Sequence, residues 1–349
     1  MVALSFRFPH HGKYASYHRL LDYLEPQDRA VDASLPLAIY HNRYLNRRDM
    51  ASRGWRWFKE AEAWRIAKAT GSTWVHYLYP EHGYFRGARQ RQLNQKILFS
   101  CHLPEWNVEQ IKDRLKLFVD GLRQADGIIL MSPNDEDYYA RMAPQAKVSF
   151  IPHGVDLHYF SPDPGKEKAA SGPFRLLTVG NMLRDFPRLA AVLRHAVQRK
   201  PDLEMEFHVV ANTASLAELR KLAGEEAWRL VKPHHGISDE ALRDLYRSSD
   251  LLFLPLISAT ANNALLESMA VGLPVFVSDL SACRAYAKDC AFYFSDDLDA
   301  ADIHAALGNL LADRGRLGEV AGKARRLAEE ELGWEVIVKR HKRFMESIS

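Results

Sequence analysis

Glu267 sits inside LLFLPLISATANNALLESMAVGLPVFVSD (251–279), the segment of this chain with the most chemistry in it. The apolar run ending at Leu256 reads as a buried strand, and the small and polar residues after it read as a loop. Asn262 or Asn263 then caps a helix that stops at Gly272, ahead of a second strand from Pro274. Free backbone N–H groups at such a helix start, around Asn262, Asn263 and Ala264, favour an anion such as a diphosphate, because the donors converge and the helix dipole is positive there. Glu267 follows a little over one turn later and can point to the same side. A carboxylate so placed can accept from two vicinal hydroxyls, as on a ribose. The competing role is a solvated helix glutamate; the apolar neighbours Leu265, Leu266 and Met269 weigh against it.

The elements that must hold these groups alternate almost throughout. In the first half, strands are predicted at 3–8, 37–41, 74–79, 96–101, 127–132 and 148–152, with helices at 48–70, 109–124 and 134–142. Residues 161–173 (SPDPGKEKAASGP) have linker composition. Alternation resumes with strands at 175–180, 206–211, 229–233, 251–256 and 274–279, helices between them, and a helical stretch from 300 to 349. This pattern predicts two doubly wound α/β domains, 1–160 and 174–333, joined by a linker at 161–173 and followed by an amphipathic helix at 334–349 that either ends the second domain or crosses back to the first. Such sheets bind ligands at the carboxyl ends of their strands, so a cleft between the domains is expected.

Composition narrows the function classes. The 349 residues carry a formal net charge of +3, which does not mark a nucleic-acid binder. Residues 1–160 hold 22 basic against 17 acidic side chains, so the first half is the basic one. Three cysteines without metal-type spacing read as free thiols in a reducing cytosol. No run reaches the roughly 18 apolar residues of a membrane span, and the N-terminus lacks a signal-peptide core; a cytoplasmic protein is expected.

Four segments together resemble the family 4 glycosyltransferases, the large retaining group with the GT-B fold. They are ALLESMAVGLPVFVSD (264–279), HGISDEALRDLYRSSDLLFLPL (235–256), IPHGVDLHYFSP (151–162) and LLTVGN (176–181), in the family's order and spacing. The resemblance implies two Rossmann-like domains, a nucleotide-diphosphate sugar as donor, and no further cofactor. It also implies donor contacts at Glu267, Asn262, Asn263, Ala264, Gly180 and Asn181. More loosely, FPHHGKYASYHR (8–19) resembles the family's Gly-rich loop, with Gly12 and Lys13 but one glycine where two are common. His102 resembles a strand-end histidine of the family. The pattern departs in two places. Ala259 stands where the first of two glutamates is usual, and Asn181 where an arginine is usual, so that Arg184 is the nearest cation.

Sugar transfer from such a donor leaves negative charge on a diphosphate, and fixed donors and cations aimed at it lower the barrier. Arg184, the N–H groups near Asn262 and Asn263, and the loop at Gly12 and Lys13 are the candidates. His102 could polarise a hydroxyl; its competing role is a packing histidine. No metal-binding Asp-x-Asp triplet stands at a strand end in a credible context, so no essential metal is expected. The acceptor reads as a glycan, a lipid-linked molecule or a small molecule. Basic and aromatic residues mix in NRRDMASRGWRWFKEAEAWRIAK (46–68), which suits either peripheral contact with an anionic membrane or a helix with its aromatic face on the sheet. Alternatives are a nucleotide-sugar epimerase of the same fold and a catalytically silent partner subunit, the latter motivated by Ala259 and Asn181. A nicotinamide-dependent oxidoreductase fits poorly, since FPHHGKYAS lacks Gly-x-Gly-x-x-Gly.

Overall fold

The computed structural model describes residues 1–6, 12–34, 48–163, 172–198 and 204–348, the side chains of 48–53 excepted. The strand expected at 37–41, the linker centre at 164–171, and Arg47, Arg48 and Arg53 of the basic stretch lie outside this description. The chain divides into two units, one of Met1–Gly154 with Trp334–Ser349 and one of Val155–Gly333. The first boundary falls at Gly154 instead of residue 160, because residues 155–160 are held by the second unit. Val155 N–H donates to the Leu332 carbonyl at 2.8 Å, and Phe160 meets Tyr246 edge-on with ring centroids 6.2 Å apart.

The first unit is built on six parallel strands: β1 (Val2–Ser5), β2 (Arg29–Asp32), β3 (Trp74–Tyr77), β4 (Lys96–Cys101), β5 (Gly127–Leu130) and β6 (Lys147–Phe150), ordered β2-β1-β3-β4-β5-β6. The inner strands are buried along nearly their whole length because helices cover both sheet faces. The direction of winding reverses between β1 and β3, which puts the carboxyl ends of these neighbours at the unit's switch point. β2 was not legible in the sequence: its four residues RAVD form an edge strand in which only Val31 is buried. The expected helix at 109–124 is two helices, Glu105–Ile111 and Lys116–Leu122.

The helix Arg48–Thr70 buries some of its aromatic residues and exposes others. Trp64 is fully buried, and its indole N–H donates to the Tyr77 hydroxyl at 2.8 Å. Trp57 and Phe58 are 57% and 55% exposed. The C-terminal helix Trp334–Glu346 buries Trp334, Ile337, Val338, His341, Phe344 and Met345 in the first unit. Gly154 has no space for a side chain, since a Cβ there would stand 2.4 Å from the Trp334 ring.

The second unit repeats the architecture with β7 (Phe174–Val179), β8 (Met205–Val210), β9 (Val231–His234), β10 (Leu251–Leu254), β11 (Val275–Ser278) and β12 (Phe292–Phe294), all parallel, in the order β12-β11-β10-β7-β8-β9. β12 is the other strand the sequence did not reveal; its three residues FYF are too few to show a period. The reversal falls between β7 and β10, which are hydrogen-bonded neighbours. Among the described residues no helix is long and apolar enough to cross a membrane.

Candidate functional site

In the second unit the sequence-predicted residues gather at the carboxyl ends of β7 and β10. The helix Asn263–Val271 starts just beyond β10, with Asn262 as its cap. Asn262 is 7% exposed, and its side-chain oxygen accepts from Leu265 N–H at 3.2 Å, while its carbonyl accepts from Leu266 N–H at 3.1 Å. The Asn262 side chain is thus occupied in closing the helix, and the groups left for an anion are the N–H donors of Asn263 and Ala264. Gly272 ends the helix in the left-handed conformation, φ 76°, and donates back to Met269.

Glu267 is buried and is not a solvated helix residue. Its Oε2 accepts from the Tyr246 hydroxyl at 2.8 Å. Burial pushes its carboxyl up to about 8, against the pull of the Tyr246 hydrogen bond and the Arg184 cation. Tyr246 comes from the helix Asp239–Ser248, which belongs to the segment 235–256 singled out in the sequence. It is fully buried, and its phenol is raised by desolvation and by Glu267. Nothing in the local sequence pairs Tyr246 with Glu267; tertiary packing brings them together.

The turn after β7 is unusual. Gly180 has φ 109° and Leu183 has φ 58°, a backbone region that bulky side chains rarely enter. Interleaved hydrogen bonds hold it: Asp185 N–H donates to the Pro255 carbonyl and Ile257 N–H to the Leu183 carbonyl, both at 3.0 Å. The ends of β7 and β10 are laced together by these bonds. Arg184 folds back over the turn, its Nε donating to the Val179 carbonyl at 2.7 Å and one Nη to the Met182 carbonyl at 3.0 Å. A Cβ on Gly180 would lie 2.4 Å from the other Nη, so glycine at this position is what lets the guanidinium lie flat. Desolvation draws the guanidinium down to about 10, and Glu267, Tyr246 and Cys283 oppose that shift. Asn181 is exposed, and its side-chain oxygen accepts from Asn212 N–H at 2.6 Å. Ala259 presents no polar side chain, so the position of the family's first glutamate contributes no hydrogen bond.

In the first unit the loop after β1, the segment after β3 and the residue after β4 carry the polar groups. Gly12 and Lys13 begin the described part of the loop; Lys13 is exposed, with its ammonium 5.1 Å from the Tyr14 ring centroid. The left-handed position of this loop falls on Ser16, φ 79°, a residue not singled out in the sequence. Ser16 Oγ is 3.1 Å from the Tyr79 hydroxyl, and that bond helps offset the backbone cost. Tyr79 in turn stacks on His102 with ring centroids 4.5 Å apart, and Tyr17 meets the same imidazole edge-on at 4.9 Å.

His102 follows β4 directly, and its Nδ1 lies 3.3 Å from Glu81 Oε1. Glu81 was missed by the sequence reading. It lies in the short helix Pro80–Gly83 after β3, is 8% exposed, and its Oε2 is buried without a hydrogen bond among the described residues. A neighbouring carboxylate orients an imidazole, which equips the pair to accept or give a proton at a hydroxyl. Among the described residues no three His, Cys, Asp or Glu side chains come together as metal ligands.

Behind this pair lies a second polar cluster on the sheet and the C-terminal helix. The Tyr17 hydroxyl is 3.1 Å from Ser100 Oγ and 3.0 Å from His341 Nε2, and His76 Nε2 is 2.8 Å from the same Ser100 oxygen. Burial drives His341 and His153 down to about 3 and His76 well below its ordinary range. These imidazoles are neutral packing groups, each lodged in a fully desolvated position.

Comparison with known proteins matches both units. Residues 21–159 match the family described as Glycosyltransferase Family 4, and residues 173–313 the family described as Glycosyl transferases group 1. Among curated proteins, the chain is 26% identical over 233 residues to a D-inositol 3-phosphate glycosyltransferase of Arthrobacter sp. (strain FB24), covering 61% of this chain and 54% of that protein. It is 30% identical over 207 residues to a phosphatidyl-myo-inositol mannosyltransferase of Mycolicibacterium smegmatis, covering 57% and 52%. The chain therefore spans about half the length of these relatives. Among solved structures, a sucrose-phosphate synthase from Thermosynechococcus elongatus superposes with TM-score 0.73 at 18% identity over 99% of this chain and 98% of that one. Anabaena HepE, solved with UDP-glucose, gives TM-score 0.69 at 14% identity over 99% and 100%. At these identities the structural likeness shows the fold, two α/β units of the GT-B type.

Proposed function

Since this chain belongs to the family 4, group 1 glycosyltransferases, we propose that it moves a sugar from a nucleotide-diphosphate donor to an acceptor hydroxyl, with the second unit holding the nucleotide. One observation carries the reading: Glu267 is buried one turn inside a helix whose first N–H groups are unspent, at the switch point between β7 and β10. In this assignment the free edge of the Glu267 carboxyl accepts from the ribose hydroxyls, and the Asn263 and Ala264 N–H groups take the diphosphate. Arg184 adds a cation held by backbone carbonyls, so its charge is in place before the bond breaks. As the anomeric C–O bond opens, negative charge grows on the leaving diphosphate, and these fixed groups stabilise it more than they stabilise the bound donor. The first unit takes the acceptor, with His102 and Glu81 at the hydroxyl that attacks.

Retention of configuration and independence of a resident metal belong to the same proposal and rest on membership of the family. The UDP-glucose complex of Anabaena HepE, which shares the fold, supports a uridine nucleotide as the first donor to test. The exposed Trp57 and Phe58 support peripheral contact with an anionic surface. Thermal melting against a panel of nucleoside diphosphates, nucleotide sugars and NAD tests the reading. Stabilisation by one nucleoside diphosphate and its sugar, with none by NAD, is expected. A melt insensitive to every nucleotide sugar would sink the proposal and favour a silent partner subunit. Product analysis then separates transfer from epimerisation.

A further inference from the structure

A cavity of about 860 Å³ opens in the first unit, walled by the start of the exposed helix at Gly54–Trp57, the segment 81–86 and the turn 113–118. Its volume lies in the range of small-molecule sites, roughly 300–1,000 Å³. Three features of its wall bear on what it could take. Arg56, Arg86, Arg114 and Lys116 line it, against two carboxylates, Glu81 and Asp113. The side chains of Arg86, Arg114 and Lys116 make no ion pair or hydrogen bond among the described residues. The apolar part of the wall includes Trp57, Phe85 and Leu117, with Trp57 more than half exposed. The third feature is the floor. Glu81 is 8% exposed, and its Oε2 is buried and unpaired, a costly arrangement unless a ligand donates to it.

We infer that this cavity is the acceptor site and that the acceptor is a phosphate-bearing amphiphile with a free hydroxyl. The inference rests on the glycosyltransferase reading for the word acceptor and on the cavity wall for the chemistry. Each part of the wall selects one part of such a molecule. Unpaired cations at the rim match a phosphate, whose charge they neutralise by charge-assisted hydrogen bonds. The aromatic and aliphatic wall matches the first carbons of a hydrocarbon chain. Glu81 repels the phosphate and accepts from a hydroxyl, which places that hydroxyl beside the carboxylate that holds His102. A neutral glycan would leave the cations unmatched, and a bare anionic headgroup would leave the apolar wall wet.

Three probes separate these demands by isothermal titration, each used below its micellar concentration: lysophosphatidylglycerol, sn-glycerol 3-phosphate and a monoacylglycerol of the same chain length. Lysophosphatidylglycerol is expected to bind at least about tenfold more tightly than either of the others. The double variant Arg114→Ala/Lys116→Ala, both exposed positions, is expected to lower that affinity about tenfold or more while leaving its melting temperature in place. Trp57→Ala is expected to weaken lysophosphatidylglycerol and leave glycerol 3-phosphate unchanged. Equal binding of the neutral monoacylglycerol would overturn the anionic part, and equal binding of glycerol 3-phosphate the amphiphilic part. Affinity untouched by the double variant, or binding seen only with vesicles, would place the interaction outside the cavity and overturn the inference whole. Nucleotide titration in parallel keeps the two readings apart. Nucleotide binding without lipid binding ends this inference alone, and lipid binding without nucleotide binding ends the transferase reading on which the acceptor role rests.

Discussion

The Tyr246 hydroxyl donates to Glu267 Oε2 at 2.8 Å, joining two buried side chains from consecutive helices of the second unit. The bond fixes the rotamer of Glu267 and leaves Oε1 as the oxygen open to a ligand. Glu267→Ala should weaken nucleotide binding by about 1–3 kcal/mol, the scale of leaving a buried ribose hydroxyl without its acceptor. Tyr246→Phe should weaken it less, since the carboxyl remains but loses its anchor. Calorimetric titration with the nucleoside diphosphate identified by melting checks both; unchanged affinity in folded Glu267→Ala would remove the ribose assignment.

The same burial has a consequence for pH. The folded-state pKa of Glu267 is raised from 4.5 to about 8, so the folded chain binds more protons than the unfolded one between those values. Stability from this group is therefore full below about 4.5 and declines as pH rises through about 8. Glu267→Gln removes the titration. Its melting temperature relative to the wild type should rise steadily from pH 5 to pH 8.5. A difference that is flat across this range would show that the carboxylate is already ionised at neutral pH.

Arg184 reaches its place only because residue 180 has no Cβ. Gly180→Ala should act on Arg184 in two ways, by steric contact and by the strain of φ 109° on an L side chain. If the Arg184 charge acts at the diphosphate as proposed, both Gly180→Ala and Arg184→Ala should lower kcat while leaving the affinity for nucleoside monophosphate within about twofold. Equal losses in monophosphate binding and turnover would assign Arg184 to shaping the turn.

How legible this was in the sequence depends on what kind of signal each element carries. β4, KILFSC, was bounded in the sequence as it is in the structure, because an apolar run between polar turns is a local feature. The helix at Asn263–Val271 was legible for the same reason, with a cap residue before it and Gly272 after it. β2 and β12 were not, since an edge strand of three or four residues is defined by its neighbour and not by its own pattern. Glu267 could be singled out because it stands in a patterned helix. Glu81 was missed because its partner, His102, is 21 positions away and meets it only through the pairing of β3 with β4. Leu183 and Ser16 hold positive φ without the glycine that usually announces it, so composition gave no warning of either turn.

Acid should loosen the first unit. His341 and His153 are held to about 3 by burial, whereas the unfolded chain takes up protons on both near 6.5. With more protons bound in the unfolded state, stability is full above about 6.5 and is lost as pH falls toward 3. His341→Gln keeps a hydrogen-bonding group for Tyr17 but cannot charge. It should flatten the fall in melting temperature between pH 6.5 and 4.5, followed by the fluorescence of Trp334, whose ring lies 5.1 Å from His153. A wild-type curve already flat over that interval would mean that the imidazoles become solvated without unfolding.

Removal of residues 334–349 should cost the first unit its fold. The segment is the end of the chain, yet it is packed as core. Trp334, Ile337, Val338, Phe344 and Met345 are all buried, and large apolar side chains contribute about 1.5–3 kcal/mol each when fully buried. Five of them match the entire margin of a typical domain, about 5–15 kcal/mol. Polar ties add to this. His341 bonds the Tyr17 hydroxyl, Lys96 donates to the Ile348 carbonyl at 2.7 Å, and Lys342 pairs with Glu25. The loss would also strand Gly154, whose missing Cβ makes room for an indole that is no longer there. Truncation after Gly333 should therefore lower the first unit's melting temperature by at least about 10 °C, or leave it unfolded. It should increase binding of a hydrophobic dye and abolish transfer, while the second unit keeps its response to nucleotide. Trp334→Ala is the milder form of the same change and should lower stability by about 3–5 kcal/mol. If the truncated chain binds no dye and melts as the intact one does, the final helix is a passenger on the first unit and not part of its core.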